Sequence, residues 1–307
     1  MARVRVALVQ SSPSPQADEI CEEVADWIAR AASRGADLVV FPELFFPGFH
    51  KLLSGWRGDR QVLPAFRDSA QPIPGPISDE ACRMAKSHAV HVVFTQLEKD
   101  DESGRIYNAS MLIGPDGSLL LRHRKTMLTP GLETRGLARG NGHEVVPTAL
   151  GSFGLLICAD ATCPEPARVL ALRGAEIVCV SSGDFRSPWQ VDGDDLAERI
   201  WNHCSASPTR AVDNNVYWLA VNSAGKQGGI EFFGGSRIIS PLGQVIAQGG
   251  WGPDARQLLV GEIDLSLRHR VESTFSLARR RRPELYSEIS RTDKMAELPA
   301  TKSGSLA

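Results

Sequence analysis

A chain of 307 residues, 42% hydrophobic and 23% charged, has ordinary globular composition and enough core to fold without staples. Its net charge of −2 gives no electrostatic reason to bind nucleic acid or a membrane surface. Six cysteines (21, 82, 158, 163, 179, 204) are scattered, mostly in apolar runs, which reads as reduced thiols in a cytosolic compartment and not as a disulfide framework or a metal site.

The N-terminal MARVRVALVQ lacks the apolar region and cleavage site of a signal peptide, and VRVALVQ reads as a strand entering a core. No window approaches the roughly 18 apolar residues of a membrane span, so a soluble, cytoplasmic protein is expected. Ile20, Val24, Ile28 and Ala31 recur at helical spacing before Gly35 stops the helix, and LVVFPE (38–43) is a short buried strand broken by Pro42. The unit returns further on: RGADLVVF (34–41) and RGAEIVCV (173–180) join a helix to a strand in the same way, and 205–222 is a looser third copy. HVVFTQLE, ASMLIGPDGSLLLRH and SRIISPLGQVIAQ supply strands, the last two as hairpins around PDG and PLG. Helix-strand repeats plus hairpins predict one α/β layered domain with internal pseudo-symmetry, over 1–290. Residues 291–307 are polar and predict a disordered tail. The arginines of ARRRRPEL (278–285) read as a solvated turn meeting acidic groups, with an anion-binding patch as the alternative.

Three reactive side chains stand at the ends of apolar strands. Glu43 follows LVVFP, Lys125 follows LLLRHR, and Cys158 follows GLLI in GLLICADATCPE (154–165). Taken singly, each has an ordinary explanation: a turn acid, a solvated basic cluster with Arg122 and Arg124, and an inert buried thiol. Together they predict a site, because open α/β sheets form their sites beyond the carboxyl ends of their strands. None of the seven histidines lies in a cysteine-protease context, so the base for a nucleophilic Cys158 would be a carboxylate. The backbone N–H of Ala159, one residue past the thiol, is the natural donor to a developing oxyanion.

FPELFFPGF (41–49), HRKTML (123–128) and ICADATCPE (157–165), in this order and spacing, resemble the signatures of the nitrilase superfamily of carbon–nitrogen hydrolases. Further similarity runs from ALVQ (7–10) through NAS (108–110), RAVDNN (210–215), GGSRIISPLGQV (234–245) and GEIDL (261–265) to RRPELY (281–286). The resemblance implies a four-layer αββα sandwich, packed as an αββα-αββα dimer. It implies Glu43 as general base, Lys125 as cation and Cys158 as nucleophile, with no metal or organic cofactor. ETRGLARG (133–140) fits a pattern that supplies a second active-site glutamate, making Glu133 the candidate, with Glu144 in the same loop as its rival.

True nitrilases place Trp-Glu after the cysteine, where this chain has Ala159-Asp160, so a small amide or carbamoyl substrate is expected in place of a nitrile. An N-carbamoyl amine or amino acid amidohydrolase is the alternative, although Ala161 and Thr162 stand where D-carbamoylases carry arginines. A catalytically silent binding protein and a thiol redox pair of Cys158 and Cys163 are the readings from other classes. The spacing of the two thiols is not CxxC.

Overall fold

The computed structural model describes residues 3–14, 17–49, 62–130, 133–186, 207–227 and 230–291. Expectations for the tail beyond Arg291 and for Cys204 lie outside the described residues.

The first sheet follows from the N-terminal strands. β1 (Arg3–Gln10), β2 (Leu38–Val40) and β3 (His91–Lys99) run parallel, with Val6 opposite Leu38 and Leu38 opposite His91. The helical spacing read near Ile20 is α1 (Ala17–Ser33), which joins β1 to β2; α2 (Val62–Ser69) and α3 (Pro76–His88) precede β3. β4 (Ile106–Ile113) and β5 (Leu119–Arg124) then continue as an antiparallel meander around the PDG turn. β15 (Gln257–Asp264) closes the other edge against β1, giving the order β15-β1-β2-β3-β4-β5.

The second sheet repeats this plan. β7 (Gly151–Ile157), β8 (Ile177–Ser182) and β10 (Tyr217–Asn222) are parallel, with α4 (Pro164–Leu172) and a helix over 207–214 (α5) as crossovers. β13 (Arg237–Ile239) and β14 (Val245–Gln248) form the meander and β6 (Val145–Thr148) the opposite edge, in the order β14-β13-β10-β8-β7-β6. The two RGA turns therefore occupy equivalent places before β2 and β8. Each needs its glycine: Gly35 has φ of 72° and Gly174 of 93°, where a side chain is strained.

Alternation along the strands builds the layers. Val4, Val6, Leu8, Leu38 and Val40 face Phe153, Leu155, Ile177, Cys179, Tyr217 and Leu219 across the space between the sheets. The intervening Ala7, Val9 and Val39 pack on Ile20, Val24, Ile28, Ile77 and Ala81 of α1 and α3. On the far side Leu156, Val178, Val180 and Trp218 pack on Ala167 and Leu170 of α4 and Ala211 of α5. Strands buried on both faces read as continuous apolar runs, which is why their alternation is faint in sequence. Each such side chain contributes roughly 1.5–3 kcal/mol of burial. The result is helix, sheet, sheet, helix, as the resemblance implied. Among the described residues no helix is long and apolar enough to cross a membrane.

Candidate active site

The parallel strands of both sheets deliver their carboxyl ends to one place. Glu43 lies just past β2, where its N–H donates to Ser182 O at the end of β8 (3.3 Å) and ties the two sheets together. Lys125 follows β5 directly, and its N–H donates to Asn108 O of β4 (2.8 Å). Glu133 sits in a one-turn 3₁₀ segment, Glu133–Arg135, and accepts the N–H of Thr129 at Oε2 (2.7 Å).

The expected charged groups are in contact and out of water. Lys125 Nζ lies 2.6 Å from Glu43 Oε1 and 2.7 Å from Glu133 Oε2. Lys125 is 1%, Glu43 2% and Glu133 3% exposed. Asn108 Nδ2 donates to Glu43 Oε1 and to Glu133 Oε1, both at 2.8 Å, and Gly183 N donates to Glu43 Oε2 at 3.0 Å. Lys125 thus belongs to no solvated cluster: Arg122 and Arg124 turn away to Glu98 at 2.9 and 2.5 Å. Glu144, the rival of Glu133, is an exposed partner of Arg173 at 2.6 Å and takes no part.

Cys158 ends β7 half-buried, with φ of 43°. A non-glycine residue in the left-handed region is strained, and such residues cluster at functional sites. The turn is fixed by Asp160, which is fully buried. Its Oδ2 accepts from Ile157 N (3.1 Å) and His123 Nε2 (2.8 Å). Its Oδ1 accepts from Thr126 N (3.0 Å), Thr126 Oγ1 (2.7 Å) and Met127 N (2.8 Å). Asp160 therefore clamps the segment after Lys125 to the segment of Cys158. Ala159 is half-buried in the same turn, and Cys163 is the half-buried residue that precedes α4. Across from Cys158, the end of β8 brings Asp184, whose Oδ1 lies 3.7 Å from Sγ.

These contacts set proton affinities. Burial pushes the Glu43 carboxyl up, and Glu133 and Asp184 add to this against Lys125, leaving it at about 7. Burial acts on Glu133 in the same direction, but Lys125, Thr129 and Asn108 prevail and hold it below the usual range. Burial would lower Lys125, yet Glu43 and Glu133 hold its ammonium well above the ordinary value. Burial, Glu43 and Asp184 push the Cys158 thiol well up, with Lys125 opposing. The resting sulfur is a thiol, and the adjacent Glu43 exchanges a proton near neutral pH, which is the property of a general base.

Sequence reading brought together Glu43, Lys125, Cys158, Glu133 and Ala159. It gave no role to Asn108, quoted within NAS, or to Gly183 and Asp184, which lie outside the motifs it used. No group of three His, Cys, Asp or Glu among the described residues is arranged to hold a metal ion.

The family model for carbon-nitrogen hydrolases matches residues 5–272. An omega-amidase NIT2 from Xenopus tropicalis is 29% identical, over 94% of this chain and 98% of its own. Among solved structures, a carbon-nitrogen hydrolase from Helicobacter pylori superposes with a TM-score of 0.80 at 25% identity, covering 94% of this chain and 98% of that one. Saccharomyces cerevisiae Nit3, of the nitrilase superfamily, superposes with a TM-score of 0.76 at 26% identity, covering 91% and 97%.

Proposed function

This chain belongs to the carbon–nitrogen hydrolase family, and from that premise we propose that it cleaves the carbon–nitrogen bond of a small amide through a thioester on Cys158. Glu43 takes the Sγ proton as sulfur attacks the carbonyl carbon. The oxyanion is received by Lys125 Nζ and the Ala159 N–H. Glu43 gives the proton to the departing nitrogen, which leaves as ammonia or an amine. The same carboxylate then deprotonates a water that attacks the thioester, and Cys158 is regenerated as a thiol. Glu133 stays ionised, orients the substrate nitrogen and keeps Lys125 charged.

The observation that carries this reading is the single ammonium held between two buried carboxylates, 2.6 Å from one and 2.7 Å from the other, beside a thiol in a strained turn. A buried charge network of this kind is costly to assemble and concentrates at functional sites. Amide hydrolysis is favoured over nitrile hydrolysis by Ala159-Asp160 and by the omega-amidase relatives. The chemistry needs no cofactor. The test is ammonia release from short aliphatic amides. Cys158→Ala should abolish it and Cys163→Ala should retain it. Activity in Cys158→Ala, or its loss in Cys163→Ala, would reassign the nucleophile.

The same reading places the chain in the cytosol as a single domain over 1–290 that pairs through the α4 and α5 face. Support comes from the apolar side chains presented there and on the adjoining C-terminal segment: Leu172 (42% exposed), Val212 (51%), Leu242 (51%), Phe275 (61%) and Ile289 (66%). They line one groove, and contiguous apolar surface of this kind marks an interaction site.

A further inference from the structure

Asn108 is a fully buried amide in β4, a strand buried along its whole length. An amide in such a place is costly unless its hydrogen bonds are made. Its Nδ2 carries two hydrogens, and they go to two carboxylates, Glu43 Oε1 and Glu133 Oε1, each at 2.8 Å. Strand pairing fixes the residue: Asn108 lies opposite Leu97 of β3, and its carbonyl accepts Lys125 N at 2.8 Å as the chain leaves β5. Asn108 thus touches both glutamates by its side chain and Lys125 by its backbone.

A carboxylate oxygen has about two lone-pair sites. Glu43 Oε1 fills both, accepting from Lys125 Nζ at 2.6 Å and from Asn108 Nδ2 at 2.8 Å. Among the described residues, Oε2 accepts from Gly183 N alone, at 3.0 Å. Gly183 precedes Asp184, whose Oδ1 lies 3.7 Å from Cys158 Sγ, so Oε2 is the oxygen on the sulfur's side. A proton taken by Glu43 finds a site on Oε2 and none on Oε1.

We propose that Asn108 is a positioning residue that makes Glu43 a one-sided base: together with Lys125 it fills Oε1, so that the protons Glu43 exchanges are carried on Oε2. The inference deepens the amidase reading, on which its kinetic consequences rest. On that reading the Sγ proton moves to Oε2 as the S–C bond forms, and passes from Oε2 to the nitrogen as the C–N bond breaks. Oε2 then takes a proton from the water that attacks the thioester and returns it to the departing sulfur. Without Asn108, Oε1 regains a site and the ionised carboxylate loses a donor. The proton is then held more tightly and divided between the two oxygens.

Infrared difference spectra of the full chain locate the proton. They are recorded between about pH 6 and 8, where Glu43 titrates at about 7 and ordinary carboxyls stay ionised. The C=O stretch of protonated Glu43 is assigned by its loss in Glu43→Gln. With the proton on Oε2, the carbonyl oxygen is Oε1 with its two donors, and the stretch should lie as low as that of a carboxylic acid in water. With the proton on Oε1, the carbonyl has the Gly183 N–H alone and the stretch lies higher. Asn108→Leu, similar in shape and without a donor, should raise the band. A wild-type band clearly above the value in water, or one that Asn108→Leu leaves in place, would overturn the proposal. The wild-type band decides even if the variant does not fold.

In turnover, Asn108→Leu should move the acid limb of kcat/KM up by about one pH unit, the worth of a hydrogen bond to a charged group. The groups acting on Glu43 are Lys125, Glu133 and Asp184, with the Cys158 thiol beside it, and the variant alters the charge of none of them. A limb that keeps its midpoint while the rate falls would make Asn108 a packing residue and overturn its positioning role. If the wild type hydrolyses no amide the amidase reading fails, while the infrared band still decides the role of Asn108.

Discussion

Glu43 and Glu133 touch the same ammonium and the same amide nitrogen, yet they hold protons differently. Glu43 is raised to about 7 because burial, with Glu133 and Asp184, outweighs Lys125, whereas at Glu133 burial is outweighed by Lys125, the Thr129 N–H and Asn108, and its proton affinity is lowered. A base must be ionised to accept the Sγ proton. Below about pH 7 Glu43 is protonated and cannot do so; above it the carboxylate is available. The acid limb of kcat/KM should therefore rise with pH through about 7. Glu43→Gln should lower kcat/KM for amides by about 10²–10⁴-fold and flatten that limb. An unchanged limb in Glu43→Gln would move the titration to another group. Glu133 came from the resemblance, whereas Glu43, Lys125 and Cys158 were legible in sequence because each ends an apolar strand. Asn108 was not, since it sits inside β4, IYNASMLI, where its neighbours read only as core. Asp184 was not, because it meets Cys158 through the parallel register of β7 on β8, with Ile157 opposite Ser181. That is a pairing between segments distant in the chain, and composition does not record it.

The turn that presents Cys158 is held by one buried acid. Five donors, His123 among them, keep Asp160 at about 2, below the 3.8 of a free carboxyl, against the opposing effect of burial. The depressed value places its stabilisation above the unfolded-state value of 3.8, and this is lost as pH falls toward 2. Linkage puts that contribution at about 2 kcal/mol. Asp160→Asn should remove it, so acid unfolding between about pH 4 and 2 should be flatter in the variant. A variant with the wild-type acid limb would show that another carboxylate dominates there. The end of β8 is similarly constrained. A Cβ on Gly183 would meet Phe49 Cε2 at 2.1 Å, and that ring is packed on Phe185 and Phe232. Gly183→Ala should displace the N–H that holds Glu43 Oε2 and lower kcat more than it raises KM. Wild-type kcat would show that the loop relaxes. At this scale the helix-strand repeats were legible because RGA marks both. The small sheet of β9 (Phe185–Arg186), β11 (Ala224–Gln227) and β12 (Ile230–Phe233) was not, since two to four residues are too few to show alternation.

Across the whole molecule the two sheets have matching strand orders, and the site lies where their strands end together. Burying the second sheet's outer layer leaves the α4 and α5 groove apolar at the surface. If copies pair there, light scattering should give a dimer or larger assembly at micromolar concentration, and Leu172→Glu with Val212→Glu should reduce it to a monomer. A wild-type monomer would remove this face from consideration. The central claim is that Cys158 is acylated and that Glu43 serves the water step. It is met most directly by intact mass and peptide mapping of Glu43→Gln after exposure to 4-nitrophenyl acetate, whose leaving group needs no proton. The account predicts one acetyl group on Cys158 that persists after the ester is consumed, while the wild-type adduct is cleared. Acetyl on Cys163, or an adduct that Glu43→Gln clears at the wild-type rate, would contradict it.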